Sequence, residues 1–102
     1  MNDLIYSIEV LITDELSRAS EEWGEKHNSP HEAYGVILEE FTEALDEGNR
    51  LNKCMAEFLR AVMENRCHDL LLDDMLTTAK LMIAETIQCA AMIRKAQRGY
   101  VK

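Results

Sequence analysis

The sequence predicts an all-α protein, folded as a four-helix bundle. Apolar residues make up 47% of the 102 residues, which is the proportion of a globular protein. One Pro and four Gly are too few for the many turns of a β-sandwich. Long stretches repeat apolar residues at spacings of three and four, the period of an amphipathic helix. The length corresponds to one domain, residues 1–102.

The first helix is predicted from about Asp3 to Trp23, because its apolar residues line one face. Gly24 can end this helix, since glycine adopts the left-handed conformation at little cost. Residues 24–29 then form a loop of small and polar side chains.

The second helix has a clear start signal. Ser29 can cap it, Pro30 suits its first position, and Glu32 completes a capping-box pattern. The helix is expected to run to about Glu47 and to end at Gly48.

Two further helices are predicted in the second half of the chain. The third covers about residues 49–65, and the fourth covers about residues 70–98, with Asp69 as a possible cap between them. Ten of the thirteen residues from 81 to 93 are apolar. The fourth helix is therefore predicted to be the buried, central one.

The charge of the chain is negative and uneven. The formal net charge is -8, and residues 1–50 hold 13 acidic residues against 3 basic ones. A general nucleic-acid binder is expected to be basic, so this balance argues against that class.

Cysteine use and the apolar runs indicate a soluble, cytoplasmic setting. The three cysteines are an odd number without paired spacing, which favours neither a disulfide framework nor a zinc cluster. The strongly apolar run at residues 81–93 is shorter than a bilayer span and contains a glutamate. We therefore expect no membrane partner.

The second helix carries one apolar and one acidic face. Its predicted core stripe consists of Tyr34, Ile37, Leu38, Phe41, Ala44 and Leu45. The opposite arc consists of Glu39, Glu40, Glu43, Asp46 and Glu47. A solvated face is the simplest explanation. However, no Lys or Arg lies between His27 and Arg50 to neutralise these acids within the helix.

Glu85 is the second unusual acid, because it lies within the apolar run of the last helix. Burial of a carboxylate is costly unless the group is paired or bound to a metal. Glu85 could reach a base, form hydrogen bonds within the core, or share a divalent cation with the acids of the second helix. Carboxylate oxygens, with the amide of Gln88 three residues on, suit Mg²⁺ or Mn²⁺.

The same residues carry a family resemblance. The segment from Glu39 to Glu43 matches the E-E-x-x-E motif of MazG-like, all-α nucleoside triphosphate pyrophosphohydrolases. The segment from Glu85 to Gln88 resembles their second motif, E-x-x-D. With the flanking segments, the resemblance to short, phage-type members spans roughly residues 22–93.

This resemblance implies a four-helix fold that assembles as a homodimer or homotetramer. It also implies Mg²⁺-dependent cleavage of a nucleoside triphosphate to the monophosphate and pyrophosphate. Glu40 and Glu43 would be metal ligands, with Glu85 facing them from the last helix. Glu39 would be the catalytic carboxylate that orients water.

Two departures from the family keep other functions open. Gln88 stands where the family has Asp; its amide oxygen can coordinate a cation, but it supplies no charge and no base. The stretch of residues 44–84 between the motifs is also long. One alternative is a non-catalytic nucleotide-binding or protein-interaction module that has lost the full metal site. Another is a purely structural oligomerisation module.

Candidate substrate contacts come from bases and aromatic residues. The bases that could bind phosphates are Lys80, Arg94, Lys95 and Arg98. Bases near a helix end also complement the helix dipole, which is the simpler explanation for those near the C-terminus. Trp23 and Tyr34 could stack on a base, although their spacing favours core packing.

Overall fold

A computed structural model describes residues 2–101, and these residues form an all-α protein. The three helices of this part of the chain are α1 (Asn2–Trp23), α2 (Pro30–Met63) and α3 (Asp69–Gln97). Helices α1 and α2 both pack against α3. The molecule is elongated, with extents of 61 × 30 × 22 Å.

The first connection follows the predicted signals. Gly24 has φ +91° and its N–H donates to the Ser20 carbonyl at 2.9 Å, which ends α1. At the start of α2, the Glu32 N–H donates to Ser29 Oγ at 3.1 Å. The Glu32 carboxylate accepts a 2.8 Å hydrogen bond from Asn28, so the capping box is not closed by its side chain.

The predicted end of the second helix at Gly48 is wrong. Helix α2 is 34 residues long, passes through Gly48 without a break and includes most of the predicted third helix. A Cβ atom at position 48 would lie 3.2 Å from Met82 Cε of α3. Gly48 therefore allows two helices to approach closely, and the described residues contain three helices instead of the four expected.

The connection between α2 and α3 lies where the sequence predicts a break. The Arg66 N–H donates to the Ala61 carbonyl at 2.9 Å, and Asn65 takes the left-handed φ of +54°. The cap of α3 is His68, not Asp69, which is already helical. Apart from this one-residue difference, the predicted position of the last helix is confirmed.

A small core joins α1 to α3. Ile12, Leu16 and Ala19 of α1 pack with Ala91 and Met92 of α3, and all five are buried. Helix α3 is central, as predicted, because both other helices contact it. Its apolar surface is nevertheless only partly covered by the single chain.

The predicted core stripe of α2 is mostly exposed. Phe41 is 49% exposed, and the other large exposed members of the stripe are Tyr34, Leu38 and Leu45. The small residues Ala33 and Ala44 are the buried ones. Small side chains allow α2 to approach α3 closely. Of the five larger residues of the stripe, Ile37 packs partly buried against the core and the other four lie exposed.

Helix α3 also has the length and composition of a possible membrane span. Its most apolar 18-residue window has a mean hydropathy of 1.2, and 17% of that window is buried within the chain. A helix that packs inside a protein or against another copy has the same pattern. The absence of a membrane partner therefore stays a prediction.

Candidate metal centre and adjoining cavity

Three glutamates from two helices converge beside the close approach of α2 and α3. Glu40 and Glu43 lie three residues apart on α2 and so share one side of that helix. Glu85 faces them from α3. One carboxylate oxygen from each of the three residues lies within 4.8 Å of the other two. We call these residues the carboxylate cluster.

The cluster raises the pKa of two of its members. Partial burial is the main cause for Glu85, followed by a hydrogen bond with Glu43 and the charges of Glu43 and Glu40. Burial also raises the pKa of Glu40, with the charges of Glu43 and Glu39 adding to it. Arg18 opposes the rise at Glu40 only in part. The cluster thus carries more negative charge than its surroundings compensate, as a cation site does.

Gln88 lies at the centre of this arrangement. Its amide oxygen faces the Glu85 and Glu40 carboxylates. With the amide oxygen and nitrogen exchanged, the nitrogen would donate to Glu85 Oε2 at 3.1 Å and to Glu40 Oε2 at 3.2 Å. An oxygen on this side is favourable when a cation lies among the carboxylates, and a nitrogen is favourable when none does.

A cavity of about 610 Å³ adjoins the cluster. Helices α1 and α2 form its walls, and Glu39 and Glu40 lie on the α2 side. Glu39 lines the cavity and is also exposed to solvent. Gln88, Met92 and Lys95 of α3 form its base. The cavity therefore places carboxylates and an ammonium group around one volume.

Lys95 is the most unusual basic residue of the cavity. It is only 4% exposed, and its side chain forms no ion pair or hydrogen bond with any residue from 2 to 101. The side chain lines the cavity, so its ammonium group is available to that space and not to a neighbouring acid. This arrangement favours an anionic ligand in the cavity.

The other predicted phosphate contacts lie elsewhere. Arg94 pairs with Glu9 at 2.8 Å across α1 and α3. Arg98 lines a separate polar depression with Ser17 and Ser20 of α1. Lys80 is exposed and lines none of the cavities described for residues 2–101. Of the four predicted bases, the structure brings only Lys95 to the cavity.

Aromatic side chains also differ from the prediction. Core packing was expected for Trp23 and Tyr34, but they are 71% and 69% exposed. Trp23 ends α1 at the rim of the cavity, whereas Tyr34 does not line it. Trp23 is the last residue of α1.

His27, which was not predicted as a site residue, lies in the loop after α1 and is 1% exposed. Its Nε2 lies 3.1 Å from the Met92 carbonyl and carries the proton, while its Nδ1 has no partner. The Val101 N–H donates to the His27 carbonyl at 3.0 Å, so the C-terminal segment holds this loop. No spacing in the sequence marks this histidine as buried.

Glu15 and Arg18 of α1 also border the cavity, although they were not predicted as site residues. Arg18 forms ion pairs with Glu15 and Glu22, one turn before and after it on α1. Arg18 and Glu15 line the cavity. The i, i+3 and i, i+4 spacing of these charges was the available signal.

Comparison of the chain with protein-family models finds no match. Comparisons with curated proteins and with solved structures likewise find no match.

Proposed function

We propose that this protein hydrolyses a nucleoside triphosphate to the nucleoside monophosphate and pyrophosphate, in a reaction that depends on Mg²⁺. The observation that carries the proposal is the convergence of Glu40, Glu43 and Glu85 beside a cavity that also holds the buried, unpaired Lys95. A polyphosphate with a bound divalent cation complements both the three carboxylates and the ammonium group of Lys95. The motif resemblance supports the same reaction.

The carboxylate cluster has the donor chemistry that Mg²⁺ requires. Glu40, Glu43 and Glu85 would hold the cation, since hard cations of this size prefer carboxylate oxygens. Mn²⁺ accepts the same ligands. When bound, the cation neutralises the charge that develops on the phosphate oxygens. Partial burial, the hydrogen bond with Glu43 and the neighbouring carboxylate charges together raise the pKa of Glu85, and a bound cation would offset this penalty on the ionised form.

The chain's own residues would then bind and orient the substrate. The Lys95 ammonium group donates hydrogen bonds to phosphate oxygens in the cavity. Glu39, at the cavity wall, orients a water molecule and accepts its proton. The water oxygen bonds to the α-phosphorus, and the bond from that phosphorus to the bridging oxygen of the β-phosphate breaks. Pyrophosphate leaves, and the monophosphate retains the base and sugar.

The exposed indole of Trp23 gives the cavity rim a surface for the base. Stacking on an aromatic ring is available to every base and so does not distinguish between nucleotides. Asn28, which also lines the cavity, is occupied by its hydrogen bond to Glu32. The proposal therefore names the triphosphate and leaves the base open.

We also propose that the chain assembles as a homodimer or homotetramer. Its accessible surface is 7564 Å², whereas a compact monomer of this mass exposes about 5,900 Å². The excess is about 1,700 Å² per chain, within the range of obligate interfaces when two chains are counted. In this proposal, the exposed stripe of α2 packs against helices of a second copy and completes a four-helix bundle. The location proposed for this assembly is the cytoplasm.

The test is the release of pyrophosphate from a panel of nucleoside triphosphates, with Mg²⁺ or with EDTA. Turnover of at least one of them, dependent on Mg²⁺, is the expected result. We expect Glu43→Gln to lose activity by about 10²-fold or more, the cost of removing one electrostatic partner of a reacting group. Asp46→Asn, an exposed position on the same helix, is the matched control. No turnover on any substrate would overturn the proposal.

A second candidate function is a non-catalytic module that binds nucleotide or a protein. The specific observation in its favour is Gln88, which lacks the charge of the Asp in the family motif. A rise in thermal midpoint with Mg²⁺ and nucleotide, but without hydrolysis, would support it. A purely structural module would show no Mg²⁺ effect at all.

A further inference from the structure

The exposed apolar stripe of α2 continues into the second half of this helix. Side chains of the first half that are 45–49% exposed form what we call the front group, Leu38, Phe41 and Leu45. Side chains of the second half that are 48–61% exposed form what we call the rear group, Met55, Leu59 and Val62. Intervals of three and four residues separate the members of each group, which is the spacing of a coiled-coil seam. Helix α2 thus presents one apolar seam over residues 38–62.

The front and rear groups are mirror images along the helix. The front group has intervals of three and then four residues, and the rear group has the same intervals when it is read backwards. Two α2 helices that run in opposite directions around residue 50 therefore match at three levels. Leu38 lies opposite the partner's Val62, Phe41 opposite the partner's Leu59, and Leu45 opposite the partner's Met55. A two-fold interface between identical chains requires this kind of self-complementary surface.

The charge of α2 distinguishes this direction from the parallel one, which would also align the seam with itself. Residues 30–47 of α2 hold six acidic residues and no Lys or Arg. Residues 48–63 hold three basic residues and one acidic residue. Packed helices lie 8–10 Å apart, so these charges interact across the interface at low ionic strength. Parallel pairing places one acidic half beside the other, whereas antiparallel pairing places each acidic half beside a basic half.

We propose that the α2 helices of two copies of this chain pack antiparallel along this seam, with residue 50 at the two-fold axis. The inference rests on the assembly proposed above, and it does not depend on the hydrolysis. The excess of accessible surface over that of a compact monomer supports a second copy as the occupant. The basic half of each α2 then lies along the acidic half of the other. Arg60 of the partner subunit lies level with Glu39, which supplies positive charge that the first half of α2 lacks.

Two double variants test the direction of pairing. Thr42 and Ala56 are exposed beside the seam on the same side of α2. They are 14 residues apart, about 21 Å within one chain. In the antiparallel dimer, position 42 of each copy faces position 56 of the other. Thr42→Lys with Ala56→Lys therefore places like charges opposite each other, and Thr42→Lys with Ala56→Glu places opposite charges there.

We expect the lysine–lysine variant to dissociate about 10-fold or more readily than the lysine–glutamate variant in low salt, measured by analytical ultracentrifugation. Parallel pairing predicts a different result, because each position would face its own copy and both variants would place like charges together. Equal dissociation constants for the two variants would therefore overturn the antiparallel direction.

Distances between spin labels test the same arrangement without added charges. The labels are attached at Gly35→Cys or at Asn49→Cys, in a chain with Cys54→Ser and Cys67→Ser; Cys89 is buried and is retained. In the antiparallel dimer, the Gly35 positions lie about 45 Å apart along the helices and the Asn49 positions about 3 Å apart. Pulsed electron paramagnetic resonance should thus give a long distance for the first pair and a short one for the second. Equal distances would contradict the proposal.

Failure of this inference is distinguishable from failure of the proposed function. A wild-type dimer that releases pyrophosphate but gives equal label distances overturns the antiparallel direction alone. A dimer with the two expected distances that hydrolyses no nucleoside triphosphate supports the interface and overturns the hydrolysis. A wild-type chain that sediments as a monomer overturns the interface, whatever its activity.

Discussion

Gly48 of α2 lies against the side chain of Met82 on α3, at a distance that leaves no room for a larger residue in an unchanged structure. A Cβ atom at position 48 would approach Met82 Cε to 3.2 Å and its Sδ to 3.6 Å. Gly48 lies five residues after Glu43 in α2, and Met82 lies three residues before Glu85 in α3. The close approach of the two helices is therefore what brings carboxylates of both to one place.

Gly48→Ala and Gly35→Ala should differ in their effects on stability. Alanine in a helix interior is more favourable than glycine by about 0.5–1 kcal/mol. A Cβ at Gly35 meets nothing within 4 Å, so Gly35→Ala should gain this full amount. Gly48→Ala should gain less, because the methyl group of Met82 must move. Urea denaturation measures both.

The larger variant Gly48→Leu tests the close approach directly. Inserting several carbons between packed helices costs about 1–3 kcal/mol. We expect that loss of stability together with weaker Mg²⁺ binding, since the cluster would separate. Unchanged Mg²⁺ affinity in Gly48→Leu would contradict the link between this contact and the cluster.

The stability of the cation-free protein should fall as the pH rises above the ordinary Glu pKa of 4.5. The folded state raises the pKa of Glu85 and of Glu40 above this value. The folded state then binds more protons than the unfolded chain. The free energy of unfolding therefore decreases as the pH rises from the pKa of the unfolded chain to the raised pKa of the folded state, and it stays lower above that pH. Urea denaturation in EDTA from pH 4 to pH 8 measures the slope.

Glu85→Gln is the variant that isolates this effect. It removes one charge, so its stability should exceed that of wild-type protein at pH 8 and approach it near pH 4. Added Mg²⁺ should stabilise wild-type protein at pH 8 and leave Glu85→Gln nearly unchanged. A variant less stable than wild type at pH 8 in EDTA would show that the hydrogen bond between Glu85 and Glu43 outweighs the repulsion within the cluster.

Lys95→Met should weaken substrate binding, because it removes the ammonium group of the cavity. A hydrogen bond to a charged group is worth about 1.5–3 kcal/mol, which corresponds to a rise in KM of about 10- to 100-fold. The folded protein should lose no stability, since an unpaired buried charge is replaced by an apolar side chain. Lys80→Met, outside the cavity, is the control, and an equal KM for both variants would exclude Lys95 from the site.

The exposed stripe of α2 should control assembly. Phe41→Lys places a charge in the middle of this apolar surface, and we expect it to convert the oligomer into monomers. Thr42→Lys adds the same charge at the adjacent exposed position and should leave the oligomer intact. Analytical ultracentrifugation distinguishes the two results. Wild-type protein that sediments as a monomer would contradict the assembly proposal.

The sequence allowed the helical class, the first connection and the position of the second break to be predicted, because caps and glycines act locally. The Ser29 hydroxyl accepts the hydrogen bond that caps α2, and Gly24 ends α1. Gly48 was misread because glycine also permits close packing, and only the position of Met82 in space distinguishes the two roles. The same limit applies to the faces of α2: periodicity identifies an apolar stripe but not which neighbour covers it.

The candidate site was predictable in part for a related reason. An acid within an apolar run must face something polar, so Glu85 could be matched with the acids of α2. The sequence does not distinguish Lys95 from the other candidate bases, because the burial of its side chain depends on packing between α1 and α3. The position of Gln88 beside both Glu85 and Glu40 depends on the packing of α3 against α2, which no local pattern contains.

The buried core that joins α1 to α3 lies at Ala91 and Met92 of α3. The late part of α2 and the early part of α3, with the buried residues Ala61 and Thr78, form an arm of two helices outside that core. Two helices without a third layer obtain little stability from packing. Backbone amides of this arm in an isolated chain should therefore exchange with deuterium by local opening, well before those beside Leu16 and Ala91. The carboxylate cluster lies where the arm joins the three-helix part, so its geometry depends on the boundary between two regions of unequal protection.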